Sequence, residues 1–141
     1  MPKVYRAMLP NGALPMIGSD AKKLGVRLGE DIQPDSTGNV HPRTGGMSVA
    51  PGLRQLPEHR IPKRFKAQGV FNATGTDKLS VWTTGTGPFI DGPFAPGLFL
   101  RIDPDDPNHG TIEPDCEMPL QEYEQALSTT VDQWVINEVV T

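Results

Sequence analysis

The chain contains none of the strong local motifs for nucleotide or zinc binding. It has no P-loop, no GxGxxG, no HExxH and no paired CxxC, so the enzyme classes that depend on those spacings lose support. Its histidines are far apart and lie in polar stretches, which argues against a shared metal site. We therefore interpret all three as surface residues: His41, His59 and His109.

A single cysteine, Cys116, excludes an intramolecular disulfide and indicates a protein made in a reducing cytosol. Its neighbours Asp115 and Glu117 are acidic, and we expect them to raise the pKa of the thiol. The sequence therefore gives no sign of an activated cysteine nucleophile, although a pair of Cys116 with a histidine stays open as an alternative.

Charge is divided unevenly along the 141 residues. Residues 1–78 carry 12 Lys and Arg against 6 Asp and Glu, whereas residues 79–141 carry only Arg101 against 11 acids. The basic part could attract phosphates, a dinucleotide or a nucleic acid, and its densest stretch runs from Arg54 to Lys66. The alternative is that the two oppositely charged parts simply pack together, with the basic stretch as a solvated loop.

The elements that position these residues must be short, because Gly and Pro each occur 15 times. Apolar and β-favouring residues predict strands at about 3–9, 79–83 and 98–102, and the apolar stretch 46–50 is consistent with a short strand or an ordered loop. The intervening stretches 10–46, 54–66 and 85–97 are interpreted mainly as loops, with one short turn of helix at 20–24 capped by Ser19 or Asp20. Spacings of three and four predict a helix from about 119 to 138 whose apolar stripe is Leu120, Tyr123, Leu127, Val131 and Trp134.

Segments near the start, centre and end of the chain show a resemblance to a known family. They are Val4–Ala7, Thr44–Val49, and His109–Ile112 followed by Met118, Pro119, Tyr123, Leu127 and Asp132. In order and approximate spacing, these segments resemble the small type VI secretion toxins that have an ADP-ribosyltransferase-like fold. The resemblance does not include residues 53–108.

The fold that this resemblance implies is an α/β (α+β) single domain over residues 1–141, with a split, bent β-core, a C-terminal amphipathic helix and a cleft for NAD. Enzymes of this class use an arginine or histidine on an early strand, a central strand that contains serine or threonine, and a later glutamate. Arg6 matches the arginine and would hold a pyrophosphate or ribose by charge-assisted hydrogen bonds. Ser48 matches the serine, and the preceding Thr44, Gly45 and Gly46 would let the backbone approach the nicotinamide end.

The glutamate is the element in which this sequence departs from the class pattern. Glu122 and Glu124 have the ExE form, but periodicity places them in the helix, so Glu113 is the first choice. Its carboxylate would bind a ribose hydroxyl and stabilise positive charge as nicotinamide leaves. Each of these residues also has a purely structural interpretation. Arg6 would be a charge on the surface, residues 44–48 would be a glycine turn that enters a strand, and the glutamates would be solvated acids.

The resemblance implies a bacterial toxin that transfers ADP-ribose from NAD to an unknown macromolecular target, or cleaves NAD. It also implies action in the cytoplasm after delivery by a secretion system, and a cognate immunity protein as partner. No apolar stretch is long enough for a membrane span and no signal-peptide core follows Met1, so we expect neither a membrane partner nor a signal peptide.

Two alternative functions stay open. One is a nucleic-acid-directed toxin that grips the phosphate backbone through the basic stretch, although a sequence pI of about 5.3 argues against it. The other is a non-catalytic interaction protein on a degenerate fold.

Overall fold

Short strands and one α-helix make up the regular structure of the chain, which a computed structural model describes over residues 1–141. Frequent glycine and proline residues limit the strands to between two and nine residues. The elements are β1 (Val4–Met8), β2 (Pro10–Asn11), β3 (Leu14–Pro15), β4 (Asn39–Val40), β5 (Met47–Val49), β6 (Ser80–Thr84), β7 (Gly92–Ala95), β8 (Leu98–Asp103), β9 (Asp106–Pro114), β10 (Met118–Pro119), α1 (Leu120–Thr129) and β11 (Val135–Ile136). Short 3-10 helices lie at Leu53–Gln55, Glu58–Arg60, Lys63–Gln68 and Val131–Gln133.

Two main antiparallel sheets organise the chain. In the first, β6 is central, with β1 on one side and β11 on the other. The second has the order β5-β9-β8-β7. A bridge between Tyr5 and Ala50 joins β1 to the end of β5 and so links the two sheets. The chain is thus a single α+β domain of mostly antiparallel strands with one helix near the C-terminal end, in agreement with the predicted class.

The first sheet is packed on both faces. Because side chains alternate along a strand, Val4 and Met8 of β1 enter one buried apolar cluster, whereas Ala7 enters a second cluster on the opposite face. The largest buried side chains of the first cluster are Trp82, Trp134 and Tyr123, and those of the second are Phe65, Ile61 and Leu79.

The second sheet has one apolar and one polar face. Met47, Val49, Leu100 and Ile112 are buried in the larger apolar cluster. Alternation turns the residues between them to the opposite face, and these are Ser48 on β5, Arg101 on β8, and Thr111 and Glu113 on β9. Polar side chains from three adjacent strands therefore lie together on one surface.

The helix predicted from about 119 to 138 is confirmed for its first half and wrong for its second half, because α1 ends at Thr129. Thr130 is buried; its hydroxyl donates to the Leu127 carbonyl at 2.8 Å and accepts from Nε1 of Trp134 at 3.0 Å. A short 3-10 helix follows at Val131–Gln133, after which the chain becomes extended and pairs with β6 as β11. Trp134 lies in the core, as predicted, but it reaches the core from outside the helix.

The strands predicted at about 3–9, 79–83 and 98–102 are confirmed as β1, β6 and β8, and the stretch 46–50, left open between a strand and a loop, forms β5. The turn of helix predicted at 20–24 is wrong: these residues form turns, in which the Asp20 carboxylate accepts from the Lys22 amide at 2.8 Å. Two strands that the pattern does not predict, β7 and β9, complete the second sheet.

Candidate functional site

A cleft of about 430 Å³ lies beside the polar face of the second sheet. It is bordered by Ser48 and His109 from that sheet, by Arg6 from β1, and by residues of the 21–31 and 55–60 segments. This volume is within the range of small-molecule sites. The charged and histidine side chains that line it are Arg6, Arg27, Asp31, His59, Arg60, Asp106 and His109.

Arg6 is buried in the wall of the cleft, with 6% of its surface exposed. Its guanidinium donates to the backbone carbonyls of Ser48 at 2.7 Å and Lys23 at 2.9 Å, and more weakly to those of Ala21 and Gly25. Burial lowers the pKa of Arg6 to about 10, and the charge of Asp31 acts in the opposite direction. The side chain therefore stays protonated at neutral pH, ties the 21–25 loop to β5, and adds a positive charge beside the cleft.

Two further arginines border the same cleft. Arg27 is paired with Glu30 at 2.7 Å and with Asp31 at 3.1 Å, which offsets its charge. Arg60, in contrast, belongs to none of the ion pairs of the molecule. Its guanidinium is the lining cation with the most free hydrogen-bond donors.

Ser48, predicted from the sequence, lies at the border of the cleft on β5. Its hydroxyl is 3.4 Å from Nε2 of His109 on β9, and Nδ1 of that ring is 3.5 Å from the Asp103 carboxylate on β8. The sequence interpretation of His109 as a loop residue is wrong, because it lies within β9; its side chain is still 36% exposed. Alternating polar residues at His109, Thr111 and Glu113 are the signal that could have identified the strand.

Glu113 is almost fully buried and its carboxylate is held by three donors. Arg101 Nε, the Arg43 amide and the Thr111 hydroxyl each lie 2.9 Å from it. It borders a second cavity of about 380 Å³ rather than the first cleft, and His109 borders both. The structure thus places the predicted carboxylate on the same sheet face as Ser48, but in a separate cavity and in an ion pair.

The remaining predicted residues, Thr44, Gly45 and Gly46, enter β5 from outside the lining of the cleft. The Thr44 hydroxyl donates to the His41 carbonyl at 2.7 Å. Gly45 has φ +118°, a conformation that favours glycine, and a side chain at Gly46 would collide with the Ile112 carbonyl of β9. Backbone geometry accounts for both glycines at these positions.

Tyr123 of α1 fixes the relative position of the two strands that carry Ser48 and His109. Its buried hydroxyl donates to the Ile112 carbonyl of β9 at 2.6 Å and accepts from the Met47 amide of β5 at 3.2 Å. Burial raises the pKa of this phenol well above its usual value, so it stays neutral. The other two helical acids considered from the sequence, Glu122 and Glu124, are respectively exposed and half-buried on α1.

The basic stretch from Arg54 to Lys66 is not a uniform patch. Arg54 donates to the Thr141 carbonyl at 2.9 Å, and Arg64 pairs with Glu138 at 2.6 Å, so these two arginines hold the chain near its C-terminal end. Arg60 faces the cleft, whereas Lys63 and Lys66 are exposed. The stretch therefore serves partly as a structural clamp and partly as a wall of the cleft.

A cluster of ionisable groups lies apart from the cleft. Nε2 of His41 is 2.6 Å from the Asp35 carboxylate, and Nδ1 is 3.5 Å from that of Glu117. The bond from Asp35 raises the pKa of His41, and bonds from Thr37 and His41 lower the pKa of Asp35. Since both ring nitrogens face carboxylates, the cluster is an ion-paired link between the 35–41 loop and residue 117.

The lone Cys116 is exposed, and no side chain activates it. A hydrogen bond with Asp115 raises the pKa of its thiol, the direction predicted from the sequence. The thiol is therefore protonated at neutral pH and a poor nucleophile.

No helix of the chain is long and apolar enough to cross a membrane.

In comparisons with known proteins, no family model, no curated protein and no solved structure matches the chain at a significant level.

Proposed function

We propose that the chain is an NAD-dependent enzyme of the ADP-ribosyltransferase type, with the arginine-lined cleft beside Ser48 as its NAD site. The observation that carries the proposal is the cleft itself, in which Arg6, Arg27 and Arg60 border a space next to Ser48 on β5. Two antiparallel sheets joined at one bridge also support a split β-core.

The arginines have different roles in this proposal. Arg60 has free donors, so it binds the pyrophosphate directly, because charge-assisted hydrogen bonds to phosphate oxygens are strong and directional. The guanidinium N–H groups of Arg6 already donate to backbone carbonyls, so they do not bind the pyrophosphate directly. Its contribution is the field of a buried cation, which is poorly screened by solvent. Arg27, already paired, adds less.

Glu113 is the proposed catalytic carboxylate, and its environment sets a condition on the reaction. The carboxylate contacts Arg101 and borders the second cavity, so it can bind a ribose hydroxyl and stabilise positive charge only after substrate binding joins the two cavities at His109. Such an interaction, made in the transition state and not in the free protein, would act on kcat.

Calorimetric titration with NAD tests the binding site. We expect saturable binding by the wild-type chain and, for Arg60→Ala, an affinity lower by about tenfold or more, the value of one charge-assisted hydrogen bond. Lys63→Ala is the matched control, because it removes an exposed cation from the same segment outside the cleft. Absence of binding by the folded wild-type chain, or equal losses in both variants, would contradict the proposal.

Nicotinamide release tests the reaction. We expect Glu113→Gln to lose release while retaining NAD binding, with circular dichroism confirming that the variant is folded. The same proposal includes action as a toxin on an unknown macromolecular target and inhibition by a cognate immunity protein. Growth arrest on cytosolic expression that depends on Glu113 is the result expected for a toxin.

A further inference from the structure

Three residues on the polar face of the second sheet form a connected chain of polar contacts from three different strands. Ser48 of β5 contacts His109 of β9 at 3.4 Å, and His109 contacts Asp103 of β8 at 3.5 Å. The histidine uses a different ring nitrogen for each contact, Nε2 towards the hydroxyl and Nδ1 towards the carboxylate. A nucleophile, a base and a group that orients the base are thus arranged in sequence.

Strand register explains this arrangement. Ser48 is directly opposite Thr111, so His109, two residues before Thr111 on the same face, is its diagonal neighbour across the ladder. The regular pairing of β8 with β9 breaks after Ile102, and the irregularity brings Asp103 beside the histidine ring. Irregularities of this kind redirect side chains and occur often near active sites.

We propose that Ser48, His109 and Asp103 form a serine-nucleophile site that acts on an ester or thioester with a negatively charged acyl group. With the Nδ1 proton directed to Asp103, Nε2 carries the lone pair that the Ser48 hydroxyl proton needs. Distances of 3.4 and 3.5 Å are the loose geometry common in sites without substrate, which tighten when a ligand binds.

The reaction follows from these roles. Ser48 Oγ attacks the acyl carbon while its proton passes to His109 Nε2, and the carbon–oxygen or carbon–sulfur bond to the leaving group then breaks. The leaving group takes that proton from His109. Water next attacks the acyl-Ser48 ester with His109 as base, which releases the acid and restores the hydroxyl. Asn108, which also borders the cleft, carries a side-chain amide of the type that stabilises an oxyanion.

The surroundings of Ser48 determine the class of substrate. Arg6 and Arg27 line the same cleft, and Arg60 does so with free donors. Asp31 and Asp106 also line it, but the first is paired with Arg27. The unpaired guanidinium favours an acyl group that carries a carboxylate or phosphate over a neutral one.

This proposal does not depend on NAD binding, and a covalent probe tests it directly. A fluorophosphonate reacts with an activated serine by forming an oxygen–phosphorus bond and releasing fluoride. We expect wild-type protein to gain one adduct on the peptide that contains Ser48. Ser48→Ala should lose the adduct, His109→Gln should react at least about a hundredfold more slowly, and Ser128→Ala on α1, outside the cleft, should react as the wild type does.

Asp103 is a positioning residue, because it acts through His109. Its role predicts that the carboxylate itself is needed at this position. Asp103→Asn should slow the labelling of Ser48, because an amide can turn its NH2 group to the ring and no longer orients the Nδ1 proton, whereas Asp103→Glu, which keeps the carboxylate, should restore part of the rate. Equal rates of labelling for the folded Asp103→Asn variant and the wild type would remove Asp103 from the proposal.

The substrate class has its own test. The p-nitrophenyl monoester of succinate should be hydrolysed faster than p-nitrophenyl acetate by the wild-type chain, and Arg60→Ala, but not Lys63→Ala, should reduce this preference. A known serine hydrolase, treated with the fluorophosphonate in parallel, is the positive control. If that enzyme is labelled and the folded chain gains no adduct at Ser48, the proposal is overturned. NAD titration of the same sample shows separately whether the cleft binds a dinucleotide, so the two proposals fail independently.

Discussion

Loss of the Arg6 guanidinium is the perturbation whose effect on stability can be worked out most fully from the contacts. The two shortest of its hydrogen bonds, at 2.7 Å to Ser48 and 2.9 Å to Lys23, come from a charged donor in a buried position. Each such bond contributes about 1.5–3 kcal/mol, so the pair gives roughly 3–6 kcal/mol. Two effects reduce the expected loss of stability to the lower end of this range. Water from the cleft can reach some of the carbonyls that lose their donor, and the variant no longer has to desolvate a buried charge.

We therefore expect Arg6→Ala to lower the free energy of unfolding by about 3 kcal/mol, and Arg6→Lys by about half of that, since a lysine ammonium cannot span the same set of carbonyls. Arg60→Ala is the matched control, because it removes an arginine from the same cleft that has no ion-pair partner. Its effect should stay within about 0.5 kcal/mol.

Urea denaturation, followed by tryptophan fluorescence, measures these differences as shifts in midpoint at constant slope. Trp82 and Trp134 are both buried and report on the apolar core. A loss of less than about 1 kcal/mol for Arg6→Ala, or equal losses for the Arg6 and Arg60 variants, would refute the reasoning that Arg6 is a structural clamp. If Arg6→Ala is too unstable to purify, the smaller loss expected for Arg6→Lys tests the same reasoning.

Three further predictions concern the site and its surroundings. Arg101→Met leaves the buried Glu113 carboxylate without its ion pair and should cost about 3 kcal/mol of stability in urea denaturation, and an unchanged midpoint would contradict this. Gly46→Ala places a methyl group against a facing backbone carbonyl and should lower Tm by the equivalent of about 2 kcal/mol, whereas Gly92→Ala, into open space, should change it little. The raised pKa of His41 means that its ion pairs stabilise the fold fully below about pH 6.5 and lose this effect as pH rises through the folded-state pKa. His41→Gln should therefore reduce stability more at pH 5.5 than at pH 8.5, and an equal loss at both values would exclude the linkage.

The strands with an apolar, β-favouring pattern could be predicted from the sequence, whereas strands with a polar face and turn-forming residues could not. β6 and β8 contain runs of Val, Leu, Ile and aromatic residues, so their pattern is visible in the sequence. β9 begins Asp106-Pro107-Asn108, residues typical of turns, and one of its faces is polar. Only the pairing with β5 and β8 makes it a strand, and that pairing is a tertiary contact.

The end of α1 shows the same limit. The apolar spacing of three and four residues continues through Val131 and Trp134, which predicts a longer helix. The chain instead turns at Thr130 and still buries Trp134 in the same core. A helix and a turn that bury the same residues cannot be separated by spacing alone. Pairing of β11 with β6 decides between them.

Of the residues named from the sequence, Arg6 and Ser48 border the cleft, whereas Glu113 borders the second cavity and Thr44, Gly45 and Gly46 border neither. Arg6, Ser48 and Glu113 were named from the sequence, and they lie on β1, β5 and β9. Their partners could not be inferred, because they depend on strand register: four backbone carbonyls surround Arg6, and Arg101 pairs with Glu113. His109 was missed for the same reason, since a polar residue on an unrecognised strand looks like a loop residue.

The position of β6 between β1 and β11 has a consequence for how the chain folds. Its partners come from residues 4–8 and 135–136, so the central strand of the first sheet is completed only by segments from opposite ends of the sequence. Contacts over such separations raise the relative contact order and slow folding. A nascent chain that has emerged only as far as α1 lacks both Trp134 and the Glu138 link to Arg64. During synthesis the chain must therefore pass through an interval in which one edge of β6 is unpaired and open to association with other chains.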